Sequence, residues 1–387
     1  NPPGEAAYEG YPDDFENPAG ERFVREVPAN FNLIYNSYKC YLWTGDSRYV
    51  SDVTMRNFRN RSMNDFFLLH DSDNNGIPEG IGDIWVGSAS YNERDLHPRE
   101  AGDAASLIYA ARLAYAGFLA DEHNYVRSEQ EKDKAKDLYV YFNTDWSRLP
   151  EDSMFVSAVL QNGKRFNGFS RETTFLMPIY GITSPGNRTD LLLDFIREQV
   201  GDGLGGVKPG PGAMPNIESY TYLPQLFFAY NRVADAYKYV NYIIDNLDAS
   251  HELASQGSNR EFPEVAFTMV SNLVEGMMGV QADAPQSKFS TVPRLPRDTH
   301  YVTVHNINIG QSSFDLTHRE NKVSEIIYQK GKKPYIWEAA FYGEYKNLCV
   351  DGKIVKALHK EINGEPVSYV EVRLNPGDVK RVSLTVN

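Results

Sequence analysis

The sequence predicts a mainly α chain of helical hairpins in an inner and an outer layer, followed by a small antiparallel β-sandwich. Between residues 28 and 283, apolar residues recur at every third and fourth position. These segments alternate between apolar all round and charged along one face, as buried and solvated helices would. At Gly279 the helical pattern runs into a Pro-punctuated extended stretch, and from His300 the apolar period falls to two. The expected organisation is an extended leading segment over 1–27, a helical-hairpin domain over 28–283 and a β-sandwich over 284–387.

Residues 1–27 are rich in Pro, Gly and acidic residues and carry no periodicity. A first helix from Pro28 spaces Phe31, Ile34, Tyr35, Tyr38, Tyr41 and Leu42 at three and four until Trp43-Thr44-Gly45-Asp46 breaks it. A second, over 49–69, presents Val53, Phe58, Met63 and Phe66 and completes a hairpin. After a loop over 71–99, the helix over 101–120 is apolar nearly all round, with Arg112 its one interior charge. The next, over 128–142, opens with the charged run SEQEKDKAKD. The alternation continues through 173–180 and 190–198, then 217–230 and 233–247, and ends at 263–280.

Beyond His300 the segments YVTVHNINI, SSFDLTH, VSEIIYQ, PYIWEAAFY, VSYVEVRL and VKRVSLTV read as short strands separated by Gly, Asn, Lys and Pro. A β module in this place buttresses the helical domain; carbohydrate binding by it is the alternative.

With 387 residues and a hydrophobic fraction of 41%, the chain can bury the core of one large helical unit and a smaller one. The formal net charge of -13, with no compensating Lys/Arg cluster, argues against nucleic acid or an anionic membrane surface as partner. Only Cys40 and Cys349 are present, which excludes a disulfide framework and a Cys-type zinc site. No run approaches the roughly 18 apolar residues of a membrane span. The eight histidines form no HExxH, and there is no G-x-S-x-G elbow. GDGLGGVKPGPG at 201–212 lacks the GK[ST] ending of a phosphate-binding loop and reads as a flexible loop. Tyr (25) and Phe (20) are plentiful, which suits core packing and also sugar-stacking surfaces.

Two phrases carry a family resemblance. Tyr41-Leu42-Trp43-Thr44-Gly45-Asp46, followed by Asp71-Ser72-Asp73-Asn74-Asn75-Gly76-Ile77-Pro78-Glu79-Gly80, resembles the punctuation of inverting (α/α)6-barrel glycosidases. Those are the six-hairpin glucoamylase, trehalase, glucosidase-I and α-L-rhamnosidase clans. Gly279-Val280-Gln281-Ala282-Asp283 through Pro293-Arg294-Leu295-Pro296 resembles their passage from barrel to β domain. The resemblance implies an (α/α)6 toroid-like barrel, a carbohydrate substrate and a location outside the cytoplasm. It also implies twelve barrel helices where about nine are legible, so either an upstream domain or chain completes the barrel or the barrel is incomplete.

It further implies two carboxyl groups roughly 6.5–9.5 Å apart across the scissile bond, one a general acid and one activating water. In the 71–100 loop, which also carries Glu79, Asp95 and Glu100, Asp83 and Glu93 are the expected acids. Trp85 and Tyr91 would be sugar platforms, with Arg94 and His97 as hydroxyl or carboxylate partners. Glu264, ahead of the last apolar helix, is the expected base, although a carboxylate at a helix start also serves the macrodipole. Glu172 and Glu218 open two other helices and suit either capping or substrate binding. Asp71, Asp73 and Asn75 with Gly76 match the front half of a calcium loop, but position 12 is Gly82 rather than Glu; the other reading is a tight Asx-rich turn. The alternatives to a hydrolase are a non-catalytic glycan-binding protein and a polysaccharide lyase, the latter disfavoured by the acidic balance.

Overall fold

The computed structural model describes residues 26–80, 87–91, 98–149, 154–200, 217–250 and 257–385. They form two compact units. One takes in the described residues up to Lys39 and from Ser47 to 200; the other takes in Cys40–Asp46 and the described residues from 217 onward.

The helix α1 (Pro28–Thr44), whose residues up to Lys39 belong to the first unit, buries Phe31 and Ile34 there and sets the Phe31 ring 5.9 and 6.4 Å from those of Phe66 and Phe67. These two rings end α2 (Val53–Arg61), which starts at an Asp52 cap accepting the Met55 N–H and continues through a π-helical turn, Ser62–Phe66, to Leu69. The central helix α3 (Gly102–Asp121) is buried along nearly every side. Against it α4 (Tyr125–Tyr141) lays Ser128, Glu131, Ala135 and Leu138, one stripe of an otherwise charged helix. Arg112 of α3 meets Glu131 at 2.8 Å in that interface, and Lys134 takes the other carboxylate oxygen at 2.7 Å. The next helix, α5 (Arg171–Ile179), approaches the start of α3 so closely that a Cβ on Gly102 would stand 2.5 Å from the Thr173 carbonyl oxygen. α6 (Asn187–Val200) follows, burying Leu192, Leu193 and Ile196. A small antiparallel sheet of β1 (Pro98–Ala101), β2 (Ala158–Leu160) and β3 (Arg165–Phe166), too short to show a period in the sequence, holds the chain just ahead of α3.

The second unit opens with a helical turn, Ile217–Tyr220, then α7 (Tyr222–Ala229) and α8 (Val233–Asp245). Ala236, Tyr239, Val240 and Ile243 form the buried face of α8, and Tyr239 stacks on Phe227 at 5.6 Å. α9 (Pro263–Ser271) runs into a π-helical turn, Asn272–Met277, and ends at Gly279, whose φ is +63°.

The β region then comprises β4 (Gln281–Asp283), β5 (Lys288–Thr291), β6 (Tyr301–Ile309), β7 (Ser312–Arg319), β8 (Val323–Lys330), β9 (Tyr335–Tyr342), β10 (Asn347–Val350), β11 (Lys353–Lys356), β12 (Leu358–Ile362), β13 (Glu365–Leu374) and β14 (Val379–Leu384). Two sheets, in the orders β11-β10-β14-β8-β7-β6 and β12-β13-β9-β5-β4, share one core built around Phe289, Phe314, Tyr328, Tyr335 and Trp337. The six expected strands are present as β6–β9, β13 and β14. The pairing is antiparallel except for β5, which runs parallel to β9. Strands β4, β5 and β10–β12 lack an apolar alternation; β11, for one, is exposed along its whole length.

The TGD phrase and the passage from helix to sheet lie together in this unit. Gly45, at φ +63°, returns its N–H to the Tyr41 carbonyl at 2.7 Å and ends α1 as a left-handed cap. The carbonyls beside it, Leu42 and Trp43, accept from Ala284 and Gly310 at 2.7 Å each, and the Trp43 indole donates to Glu275 at 3.0 Å. Arg294, of the PRLP phrase, donates to the Gly276 carbonyl at 2.8 Å and to the Tyr342 hydroxyl at 3.1 Å. Both phrases therefore fasten chain segments.

Candidate active site

In the first unit the polar groups gather where β1 delivers the chain into α3. Glu100 is 1% exposed on β1; its carboxylate takes one Arg99 hydrogen bond at 2.6 Å and another from the Trp146 indole. Arg99 also lies 3.7 Å from Asp73 and 3.8 Å from Glu79. The carboxylate oxygens of Asp73, Glu79 and Glu100 fall within 4.8 Å of one another, with this guanidinium as shared counter-charge. Burial pushes the Glu100 carboxyl up from its ordinary range, against the pull of Trp146 and Arg99.

Asp71, Asp73 and Asn75 fold the adjacent loop on itself. Asp71 Oδ1 accepts the Asn75 and Gly76 N–H groups at 2.9 and 3.2 Å, Asp73 accepts the Asn75 N–H at 3.2 Å, and Asn75 Oδ1 accepts that of Ile77 at 2.8 Å. These Asx hydrogen bonds close a tight turn, and the carboxylate oxygens that converge beside it are those of Asp73, Glu79 and Glu100. An acidic group paired in this way is by itself no metal site.

In the first turn of α3 stands Asp103, fully buried. Its Oδ2 accepts the Ser90 hydroxyl at 2.9 Å and the Tyr91 N–H at 2.7 Å, and the Thr173 hydroxyl donates to Ser90 at 2.7 Å. Burial raises its pKa to about 6, partly offset by these donors. The Tyr91 phenol is held as well, accepting from Asn32 at 3.3 Å; the Asn32 carbonyl in turn accepts from Tyr180, whose hydroxyl burial pushes up. Tyr91, read as a sugar platform, is thus half-buried and fixed at its backbone and its ring. Asn30, two residues before Asn32 on α1, is buried with no hydrogen bond to its amide among the described residues.

At the start of α5, Arg171 is buried at φ +38°, a left-handed conformation that costs a non-glycine residue about 1–3 kcal/mol. Its guanidinium lies 3.6 Å from Glu172, which occupies the first turn.

In the second unit, Glu264 sits in the first turn of α9, half-buried, and its Oε1 accepts the Tyr222 hydroxyl at 3.0 Å. Glu218 belongs to the helical turn Ile217–Tyr220, but its side chain lies outside the described set. Asp83, Trp85, Glu93, Arg94, Asp95 and His97 also fall outside the described residues. The sequence reading missed Asp103, Ser90 and Thr173. The Asp103 signal was an acid opening an otherwise apolar helix, whereas its partners come from separate segments.

No family model matches the sequence, and no curated protein matches it. Solved structures do share its fold. A GH78 family rhamnosidase of Bacillus sp. GL1 aligns with 84% of this chain and 34% of its own, at 12% identity and a TM-score of 0.56. An α-L-rhamnosidase from Dictyoglumus thermophilum aligns with 97% of this chain and 43% of its own, at 14% identity and a TM-score of 0.58. A sialidase aligns with 75% of this chain and 30% of its own, at 9% identity and a TM-score of 0.55. The chain thus has the fold of (α/α)6-type glycoside hydrolases, a helical-hairpin barrel region followed by a β domain, and spans less than half the length of these proteins. Among the described residues no helix is long and apolar enough to cross a membrane.

Proposed function

We propose that this chain acts as a glycoside hydrolase, breaking the bond between an anomeric carbon and its leaving oxygen with a pair of carboxyl groups and inversion of configuration. The observation that supports the reading is the likeness of its fold to rhamnosidases and a sialidase. Fold alone does not choose a chemistry, so the residues are argued separately.

Glu264 is the proposed base. A base must be ionised, and the free N–H groups and macrodipole of the α9 N-terminus favour the charged form. The Tyr222 hydroxyl orients the carboxylate without neutralising it. In the reaction it would take a proton from water as the water oxygen bonds to the anomeric carbon. Asp83 or Glu93 is the proposed acid, protonating the departing oxygen. Tyr91 would wall the sugar, with Trp85, Arg94 and His97 as further contacts and Glu172 and Glu218 as hydroxyl acceptors. The substrate is an oligo- or polysaccharide, and the net charge of -13 favours an uncharged one over a polyanion.

The test is turnover of a panel of aryl glycosides by the parent, Glu264→Gln and Glu93→Gln. Loss of roughly 10²–10⁴ in kcat for Glu264→Gln at unchanged melting temperature is expected. Turnover by none of the panel, or a Glu264→Gln rate within twofold of the parent, overturns the assignment.

A further inference from the structure

The β region carries a groove of about 630 Å³, within the roughly 300–1,000 Å³ of ligand sites. Its walls are the loop Glu344-Tyr345-Lys346 between β9 and β10 and the strand β12, which among the described residues pairs only with β13 and is the edge of its sheet.

The groove is organised by Ser368, buried on β13 opposite His359. Its hydroxyl donates to the Gly343 carbonyl at 2.8 Å and accepts the Tyr345 N–H at 2.8 Å. A hydroxyl has one proton to give, so the contact with His359 Nδ1 at 3.3 Å requires His359 to donate through Nδ1. That tautomer leaves Nε2 an acceptor. One buried side chain therefore sets both the aromatic residue and the imidazole of the groove.

The charged groups around them divide sharply. Lys360 is committed to Glu338 and to the Tyr369 ring at 5.4 Å. Glu344, Lys346 and Glu361 line the groove, and no hydrogen bond or ion pair engages their side chains among the described residues. What remains for a ligand is two carboxylates and an imidazole nitrogen as acceptors, one ammonium donor, and the apolar surface of Tyr345 and Pro366. Acceptors dominate, so the matching ligand is rich in hydroxyl donors and has an apolar face for the ring. Two free carboxylates against one free ammonium disfavour an anion.

We propose that this groove binds a neutral oligosaccharide of two or three residues without cleaving it. The inference is independent of the hydrolase reading, because it uses neither Glu264 nor the 71–100 segment.

The experiment is calorimetric titration of the whole chain with cellotriose, xylotriose, mannotriose, maltotriose and trigalacturonate. It is run on the parent, Tyr345→Ala, the double variant Glu344→Gln with Glu361→Gln, and Glu264→Gln. The expected result is binding of at least one neutral trisaccharide, unchanged in Glu264→Gln. Affinity should fall at least about tenfold in Tyr345→Ala and in the double variant, whose exposed side chains leave the melting temperature unaltered. Binding of none of the neutral sugars, binding of trigalacturonate alone, or affinities indifferent to the double variant would each overturn the proposal. So would neutral-sugar binding lost in Glu264→Gln but kept in the double variant, an outcome that would leave the hydrolase reading standing.

Discussion

Asp103 accepts the backbone N–H of Tyr91 at 2.7 Å from the first turn of α3. A carboxyl with no exposure of its own thereby fixes a half-buried aromatic residue on the loop ahead of the helix. Asp103 thus positions Tyr91 from inside the fold and is itself out of reach of a solvent-borne ligand.

The same burial gives the first unit a pH signature. The Asp103 pKa of about 6 lies above its ordinary 3.8, so the folded chain holds the proton more tightly than the unfolded one. Stability from this group therefore rises as pH falls from about 6 towards 4, and the net cost of ionising it inside the fold, about 3 kcal/mol, is carried above that window. Asp103→Asn should remove the slope. Hydrogen exchange of the α3 amides at pH 4.5 and 7.5, corrected for intrinsic rates, reads it out; an equal pH response in parent and variant would refute the assignment.

His318 gives the second unit the opposite sign. It is fully buried between Ser324, 2.8 Å from Nδ1, and the Met278 carbonyl, 3.0 Å from Nε2, and burial lowers its pKa from 6.5 to about 4. Since Nε2 must donate to a carbonyl, Nδ1 accepts from Ser324 and the ring is neutral. The unfolded chain takes up a proton below 6.5 that the folded chain refuses until about 4, so stability is lost as pH falls through that interval, by about 3 kcal/mol in all. His318→Gln should cost about 1–2 kcal/mol at pH 7.5 and flatten this acid limb. Urea unfolding followed by exchange in β7 at pH 5 and 7.5 makes the comparison, and an undiminished acid loss in the variant would count against it.

These groups also show what local sequence can express. The apolar period of α3 announced a buried helix because every turn repeats the signal, and the charged face of α4 announced a solvated partner. The Glu264 position was legible from a proline and an acid opening an apolar run, but Tyr222, which orients it, lies 42 residues earlier. Asp103, Ser90 and Thr173 meet only in the folded chain. The strands β10–β12 were missed for another reason: β10 is only four residues long, and β11 and β12, the edges of the two sheets, bury little and need no apolar alternation, which Lys353, Lys356, Lys360 and Glu361 interrupt.

The Arg112–Glu131 pair should behave as a buried ion pair does. Both side chains are nearly sealed, the oxygen–nitrogen distance is 2.8 Å, and the guanidinium stacks 4.6 Å from the Phe67 ring centroid. Glu131→Ala strands the Arg112 charge and should cost about 3–5 kcal/mol, whereas Arg112→Met combined with Glu131→Leu should cost much less. Chemical denaturation of the three proteins decides it; a double variant as unstable as Glu131→Ala would mean that packing rather than charge is at issue.

Gly279 is where the helical part of the second unit becomes sheet, and its conformation leaves little freedom. At φ +63° an L-residue is already strained, and a Cβ there would lie 2.1 Å from the Val292 carbonyl oxygen and 2.8 Å from the Val292 nitrogen. Both are backbone atoms, so no side-chain rotation relieves the clash. Gly352, at φ +83° with nothing within 4 Å of its Cβ position, carries the conformational strain alone. Gly352→Ala should therefore cost about 1 kcal/mol and Gly279→Ala at least about 3 kcal/mol, since residues 292–296 must shift to admit the methyl group. Thermal melts of the two variants beside the parent separate strain from collision, and similar losses in both would show that the contact with Val292 yields more easily than its backbone geometry implies.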